Sequence, residues 1–385
     1  MPATLPVSKK KIVMISPVHP LRGGIAASTE RLARELQNSG HEVVIYSFSL
    51  QYPGFLFPGK TQYSDDPEPE DLTIKTRINS INPFNWIKVG FEIRALKADI
   101  IITRFWLPFM APSIGTICRI AKSKNTRVIS IADNVIPHEK RPGDDSLTAY
   151  FIGSTDGFVV MSKSVETDIR QFNQTKPVTY IPHPVYDNYG EKMPRALALK
   201  YLNLSPDFHY LLFFGFIRDY KGLDLLLQAM ADPRIKKLPL KLIIAGEYYG
   251  NQDYYEEIIR VLEIENQLVL KTDYIPTEEV RFYFSAADLV VQPYKSATQS
   301  GISQLAYHFE KPMVVTNVGG LPEIVPHGKA GYVVETDASQ IADSIFDFFQ
   351  NKRAASFAAT VATEKKRFSW QNMVQGIEKL AGEIF

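Results

Sequence analysis

The stretch KIVMISPVHPLRGGIAASTERLARELQNSGHEVVIYSF, residues 11–48, contains one complete unit of the architecture. KIVMISP (11–17) is a short apolar, β-branched run that stops at polar and proline residues, which reads as a buried strand. ASTERLARELQNSG follows with Ala27, Leu32, Ala33 and Leu36 on one stripe, a helical period that Gly40 ends. EVVIYSF (42–48) is a second buried strand. Strand, helix and strand in that order imply parallel pairing, with the helix packed on the sheet.

The unit repeats along the chain. DIIITRF (99–105), RVISIAD (127–133), GFVVMS (157–162) and VTYIPHP (178–184) continue a first series. A polar, weakly periodic stretch after Pro184 separates it from a second: HYLLFFGFI (209–217), LKLIIAGE (240–247), QLVLKTDYI (267–275), DLVVQPY (288–294), PMVVTN (312–317) and AGYVVE (330–335). The pattern predicts an α/β protein of two doubly wound domains, divided near residues 185–205. Ligands of such sheets lie outside the carboxyl ends of the strands, so a cleft between two facing domains is the expected site. The last segment, FSWQNMVQGIEKLAGEIF, carries Met373, Val374, Ile377, Leu380 and Ala381 at helical spacing.

With 385 residues, 45% hydrophobic and 22% charged, the chain has ordinary globular composition, which excludes wholesale disorder. A net charge of +1 gives no electrostatic reason for a nucleic-acid partner. Charge is uneven, with 22 basic and 17 acidic residues before position 186. The single Cys118 excludes an intrachain disulfide and fits a reducing compartment. Its bland reading is a core residue. The basic N-terminus leads into a strand rather than a signal-peptide core. The uncharged stretch between Arg104 and Arg119 is too short for a membrane span and contains Pro108 and Pro112. A cytoplasmic protein is expected, with peripheral contact at the inner face of a membrane as an extension.

Four strand-to-helix transitions carry candidate chemistry. After the first strand, Gly23 and Gly24 allow a tight turn at a helix start that favours an anion, although the GxGxxG spacing of a dinucleotide fold is absent. In FFGFIRDYKGLDLLLQAM (213–230), Arg218 and Lys221 stand before a helix, placed to neutralise a phosphate-bearing leaving group without a metal. Solvated loop charges are the plainer reading. In residues 292–325, Gln299, Ser300 and Gly301 open an apolar helix, and Gly319-Gly320-Leu321-Pro322-Glu323 follows the next strand. No zinc spacing, P-loop or G-x-S-x-G elbow is present.

With SPVHPLRGGIAASTERLARELQNSGHEV, FFGFIRDYKGLDLLLQAM and ADLVVQPYKSATQSGISQLAYHFEKPMVVTNVGGLPEIV in order, the chain resembles the GT-B glycosyltransferases, specifically the retaining family 4. The resemblance implies two facing Rossmann-like domains, an N-terminal acceptor-side domain (1–188) and a C-terminal nucleotide-sugar domain (189–370). It also implies a final helix (371–385) that crosses back to the N-terminal domain. The implied activity is a metal-independent transfer, of the hexosyltransferase type, from a nucleotide diphosphate sugar to a glycan or lipid-linked acceptor in cell-surface polysaccharide synthesis. Arg218 and Lys221 match the pair that holds the diphosphate. Gly23, Gly24, Gln299, Ser300, Gly301, Gln304 and Glu323 fall on donor-binding positions.

The chain departs from the family in two places. Many members carry two glutamates eight positions apart before the Lys-Pro that matches Lys311-Pro312. Here those positions hold Ala297 and Leu305, or Thr298 and Ala306 with a slip of one. Gln299, Ser300 or Gln304 would have to supply the missing contacts, more weakly than a carboxylate. Many relatives also have histidine where Asp133 stands. Asp133 then becomes a candidate base, with Asn134 and His138 as candidate acceptor or sugar contacts. These departures keep two other readings open: a non-catalytic carbohydrate or nucleotide-binding protein, and a sugar-nucleotide epimerase on the same fold.

FSLQYPGFLFPGK (48–60), with Phe48, Tyr52, Phe55, Leu56 and Phe57, and NPFNWIKVGFEIRALK (82–97) give the N-terminal half an aromatic and basic character. Interior packing between domains is one reading. Contact with a lipid-linked acceptor or membrane surface is the other.

Overall fold

The computed structural model describes residues 9–54, 61–64, 67–137, 141–297 and 300–384. The chain divides into two compact units, one of Met1–Pro182 with Trp370–Phe385 and one of His183–Ser369. The division therefore falls after Pro182 and again before Trp370.

The first unit is built on seven strands, β1 (Lys11–Ile15), β2 (Glu42–Leu50), β3 (Ile74–Asn79), β4 (Ile100–Phe105), β5 (Arg127–Ala132), β6 (Gly157–Val160) and β7 (Val178–Tyr180). They pair in the order β3-β2-β1-β4-β5-β6-β7, every pair parallel. The second unit holds β8 (His209–Phe214), β9 (Leu240–Ala245), β10 (Leu268–Lys271), β11 (Leu289–Gln292), β12 (Met313–Thr316) and β13 (Gly331–Val334), in the parallel order β10-β9-β8-β11-β12-β13. Helices cover both faces of each sheet, so the central strands are apolar on both sides and read as continuous runs. Strand order reverses beside β1 in one unit and beside β8 in the other. The loops that leave those two strands occupy the topological switch points, where ligands of this architecture bind.

Two elements were hidden from sequence periodicity. β3, IKTRIN, is an edge strand with exposed Thr76 and Arg77, so its polar residues mask it. The polar stretch after Pro184 contains a helix, Arg195–Tyr201, whose Ala198 and Leu199 are buried in the second unit's core.

The helix Trp370–Ile384 packs on the first unit. Its buried Met373, Val374, Ile377 and Leu380 join Leu32 and Leu36 of the helix Gly24–Asn38 and Ile129, Ile131 and Val159 of the sheet in one cluster. Each such side chain, fully buried, stabilises the fold by about 1.5–3 kcal/mol. Two polar contacts fix its register, His41 Nε2 with Glu378 Oε1 at 2.9 Å and Arg127 Nε to the Ile384 carbonyl at 2.7 Å. Cys118 lies on the buried face of the helix Ala111–Ala121, in the core, and burial raises its thiol pKa to about 12.

Candidate functional site

The loop after β8 is shaped by two glycines with positive φ. At Gly215 (φ 90°) an added Cβ would lie 2.9 Å from Lys221 Nζ and 3.4 Å from Ile302 Cδ1. At Gly222 (φ 67°) it would lie 2.0 Å from the Pro293 carbonyl oxygen. Neither position accepts a side chain, and the loop is drawn against the neighbouring loop after β11. The Lys295 amide also donates to the Tyr220 carbonyl at 2.7 Å. Gly222→Ala is therefore expected to unfold or displace this loop at a cost of about 3 kcal/mol or more, combining a left-handed backbone with a backbone clash. A melting curve checks it; an unchanged midpoint would show that the loop is not held there.

The charges of these loops divide into two groups. Lys295 Nζ takes both nearby carboxylates, Asp219 Oδ1 at 3.0 Å and Asp224 Oδ2 at 2.9 Å. Arg218 and Lys221 have no hydrogen-bond or ion-pair partner for their side chains among the described residues. Arg218 instead stacks its guanidinium 4.1 Å from the Tyr249 ring centroid. Lys221 is only 8% exposed, beside Gly215 and with its ammonium 5.9 Å from the Tyr294 ring centroid. Burial, and secondarily the positive charge of Arg218, lower its pKa to about 8. A buried cation without a counterion is costly, so Lys221 does not fit the reading of a solvated loop charge. Two cations without a counterion among the described residues, at a switch point, have the charge and placement that an anion site requires.

Across Gly215, Ile302 belongs to the first turn of the helix Gly301–His308, whose leading backbone N–H groups have no intrahelical partners. That start is held from behind. The hydroxyls of Ser300 and Ser303 both donate to Gln292 Oε1, at 2.6 and 3.0 Å, and Ser300 also meets the Tyr294 hydroxyl at 3.3 Å. Ser300 is thus engaged inward, positioning the helix. Tyr186 packs on Gly301, where a Cβ would lie 2.7 Å from its ring. Leu305 and Ala306, the second aligned glutamate position in either register, are buried in the core. Beside Ser303 this turn carries Gln304, 1% exposed, with an Oε1 that has no partner among the described residues. An unpaired buried amide oxygen costs roughly 1–3 kcal/mol and is suited to receive a ligand hydroxyl. Glu323 lies in the single turn Leu321–Ile324 after β12. Lys311 is also lowered to about 8 by burial, but its ammonium donates to the carbonyls of Ser285 and Ala287 at 3.2 and 2.8 Å, closing the end of a helix.

In the first unit, Gly23 (φ 124°) caps the helix Gly24–Asn38 at the end of the loop after β1. Anchors at Val18 N to Ser47 Oγ (3.2 Å), His19 N to Glu30 Oε1 (2.9 Å) and Arg22 N to the Gln62 carbonyl (3.0 Å) hold this loop. Asp133, just beyond β5, faces Arg104 on β4. Arg104 Nε donates to Asp133 Oδ2 at 2.8 Å and Nη2 to Oδ1, with Arg104 only 3% exposed. Both carboxylate oxygens are engaged, so the geometry gives Asp133 the role of holding the strand ends rather than that of a free base. Asn134, next to it, has a buried Oδ1 without a partner among the described residues. His138 and Gln299 lie outside the described residues. No group of three or more His, Cys, Asp or Glu side chains is placed to hold a metal ion among the described residues.

Arg104, Gln292, Tyr249 and Lys295 were not singled out from sequence. The one available signal was a charge ending the otherwise apolar run of β4. The division of acids between Lys295 and the other two cations has no sequence signature.

Two family models match the chain: "Glycosyltransferase Family 4" over residues 22–188 and "Glycosyl transferases group 1" over residues 209–351. The D-inositol 3-phosphate glycosyltransferase of Paenarthrobacter aurescens is 27% identical over 379 residues, 91% of this chain and 90% of the relative. The lipopolysaccharide 1,2-N-acetylglucosaminetransferase of Salmonella typhimurium is 26% identical over 216 residues, 52% of this chain and about half of that relative (55%). Among solved structures, HepE of Anabaena in complex with UDP superposes with a TM-score of 0.73 at 17% identity, covering 97% of this chain and all of that one. Sucrose-phosphate synthase of Thermosynechococcus elongatus gives 0.72 at 18% identity, covering 98% and 99%.

Proposed function

Because this chain is a glycosyltransferase of family 4 with the GT-B fold, we propose that it moves a hexose from a nucleotide diphosphate sugar to a glycan or lipid-linked acceptor with retention, in the cytoplasm, for a cell-surface polysaccharide. The observation that carries the donor assignment is the pair of unneutralised cations, Arg218 and Lys221, beside the amide-rich start of the helix Gly301–His308. As the sugar–phosphate bond breaks, its electron pair moves to the departing diphosphate. The guanidinium, the ammonium and the helix-end amides meet that charge where it develops. The acceptor oxygen then attacks from the face that the diphosphate leaves, and its hydroxyl proton passes to the departing phosphate oxygen. Gln304 Oε1 accepts a hydroxyl of the donor, in place of the carboxylate that many relatives use. Gly23 and Gly24 let the acceptor-side backbone approach closely, and Asn134 supplies a side-chain contact there. Arg218 and Lys221 do the work a divalent cation does in other transferases, so turnover is expected to persist in EDTA.

HepE binds UDP in its crystal, which makes UDP-sugars the first donors to try here. The test is a thermal-shift panel of UDP, GDP, ADP and their sugars, followed by transfer assays with the nucleotide that stabilises the chain. Stabilisation by one nucleotide diphosphate, lost in Lys221→Ala, supports the donor site. Stabilisation by none refutes it. Binding without transfer to any acceptor would leave a sugar-nucleotide binding protein, and conversion of donor without acceptor an epimerase.

A further inference from the structure

The helix Pro83–Ala95 is apolar on two opposite sides. Asn82 caps it, its Oδ1 accepting from the amides of Phe84 and Asn85 at 3.1 and 3.3 Å, and Pro83 starts it. Val89 and Ile93 enter the core, Trp86 Nε1 donates to the Asn79 carbonyl at 2.7 Å, and Gly90 allows so close an approach to Ile120 that a Cβ would lie 2.7 Å from it. The inner face is therefore committed, and the helix cannot roll to hide the other. On that other face Phe84 is 83% exposed, Phe91 59% and Ile87 44%, with Ile81 52% exposed just before the helix. At 100° per residue these three side chains form one stripe, with exposed Lys88 on one flank and exposed Arg94 on the other.

Single exposed apolar residues are ordinary; a contiguous group of four, two of them phenylalanine, marks a contact surface. Charge decides what it contacts. Lys88 and Arg94 border the stripe, Lys97 follows and Arg77 precedes it, all exposed. The helix has one acid, Glu92, which accepts from the Tyr46 hydroxyl at 3.0 Å and pairs with Lys75 at 3.7 Å, away from the stripe. Aromatic residues between cations, with no acid among them, complement anionic headgroups over an acyl layer. The helix also starts at the carboxyl end of β3, the end of the parallel sheet that carries Gly23–Gly24 and Asp133.

We propose that Ile81, Phe84, Ile87 and Phe91, flanked by Lys88 and Arg94, seat the first unit on an anionic bilayer and present its strand-end loops to acceptors carried in that bilayer. The acceptor clause rests on the transferase reading; the docking does not. The test is sedimentation of the whole protein with vesicles of phosphatidylcholine alone or mixed with phosphatidylglycerol in roughly equal parts. The native protein binds the mixed vesicles, and added salt weakens the binding. Phe84→Ser/Phe91→Ser lowers the partition at least tenfold. Lys88→Gln/Arg94→Gln lowers it roughly tenfold and flattens the salt dependence. All four positions are exposed, and only Arg94 gives up a hydrogen bond, an exposed one of 3.2 Å to the Ile120 carbonyl, so circular dichroism melts are expected to stay close to that of the native protein. Absence of native binding, or native-like binding by both variants, overturns the proposal. So does a native dimer that Phe84→Ser/Phe91→Ser dissociates without any vesicle binding, since the occupant is then a second copy. Thermal shift with nucleotide diphosphates on the same samples separates the two readings: vesicle binding lost with the nucleotide shift intact removes only the docking, and the converse removes only the donor site.

Discussion

Lys221→Met is expected to abolish nucleotide diphosphate binding while raising the melting temperature of the free protein by a few degrees. The two effects have one cause. Lys221 is held in a buried position beside Gly215 with no carboxylate partner among the described residues, and its pKa falls from 10.5 to about 8. That depression corresponds to about 3 kcal/mol by which the fold disfavours the charged form. Since the unfolded chain keeps the proton up to 10.5 and the native chain releases it near 8, the native protein becomes more stable as pH rises between those values. The variant lacks this slope. In the proposed donor site a bound diphosphate supplies the missing counter-charge, so the cost is recovered when the donor binds. In the native enzyme kcat/KM is expected to fall as pH rises through about 8, when the free ammonium loses its proton. Calorimetry at pH 7 and pH 10 with and without UDP checks both halves. A destabilised variant that still binds the nucleotide would show that Lys221 is a structural residue. Lys311 offers the contrast, because its ammonium already serves two backbone carbonyls. Lys311→Met is expected to destabilise the fold and to leave the affinity for donor unchanged.

Arg218→Ala is expected to lower turnover by roughly 10²-fold or more, mainly in kcat, with the fold intact. In the proposed mechanism the guanidinium is a preorganised charge at the point where the leaving group gains charge, and removing one such donor costs about that much. Among the described residues its guanidinium lies over the faces of Tyr249 and Phe216. Losing a partly exposed cation–π contact costs about 0.5–1 kcal/mol of stability, too little to unfold the chain. Arg218→Lys is expected to restore only part of the rate, because a point charge cannot make the paired contacts of a guanidinium. Steady-state kinetics with a saturating acceptor decide the matter. Near-normal kcat in Arg218→Ala would refute the role.

Much of this was legible before any coordinates. Runs such as KIVMI, EVVIY and HYLLFF are apolar on both faces because helices cover both sides of a parallel sheet, and burial of that kind leaves a continuous signature. β3 and the helix Arg195–Tyr201 were not legible, since an edge strand and a short connecting helix bury too few residues to impose a period. Candidate residues were visible as types in loops, but their roles were not. Asp133 and Asn134 are adjacent in sequence; one is taken by Arg104 from another strand, and the other keeps a buried carbonyl oxygen without a partner among the described residues. Ser300 turns to Gln292, and Gln304, rather than Leu305 or Ala306, presents the polar group. The helix Pro83–Ala95 showed its aromatic and basic composition in sequence, but not which side faces water.

The order of residues along the chain thus determined the alternation of strands and helices, the two sheets and the family, because short-range periodicity and turn chemistry are local properties. Which charges are neutralised was decided by tertiary structure alone. Lys295 reaches both Asp219 and Asp224 from a different loop, leaving Arg218 and Lys221 without a carboxylate among the described residues. Electrostatic pairing depends on distance in space and on burial, and neither is written in the spacing of residues along the chain.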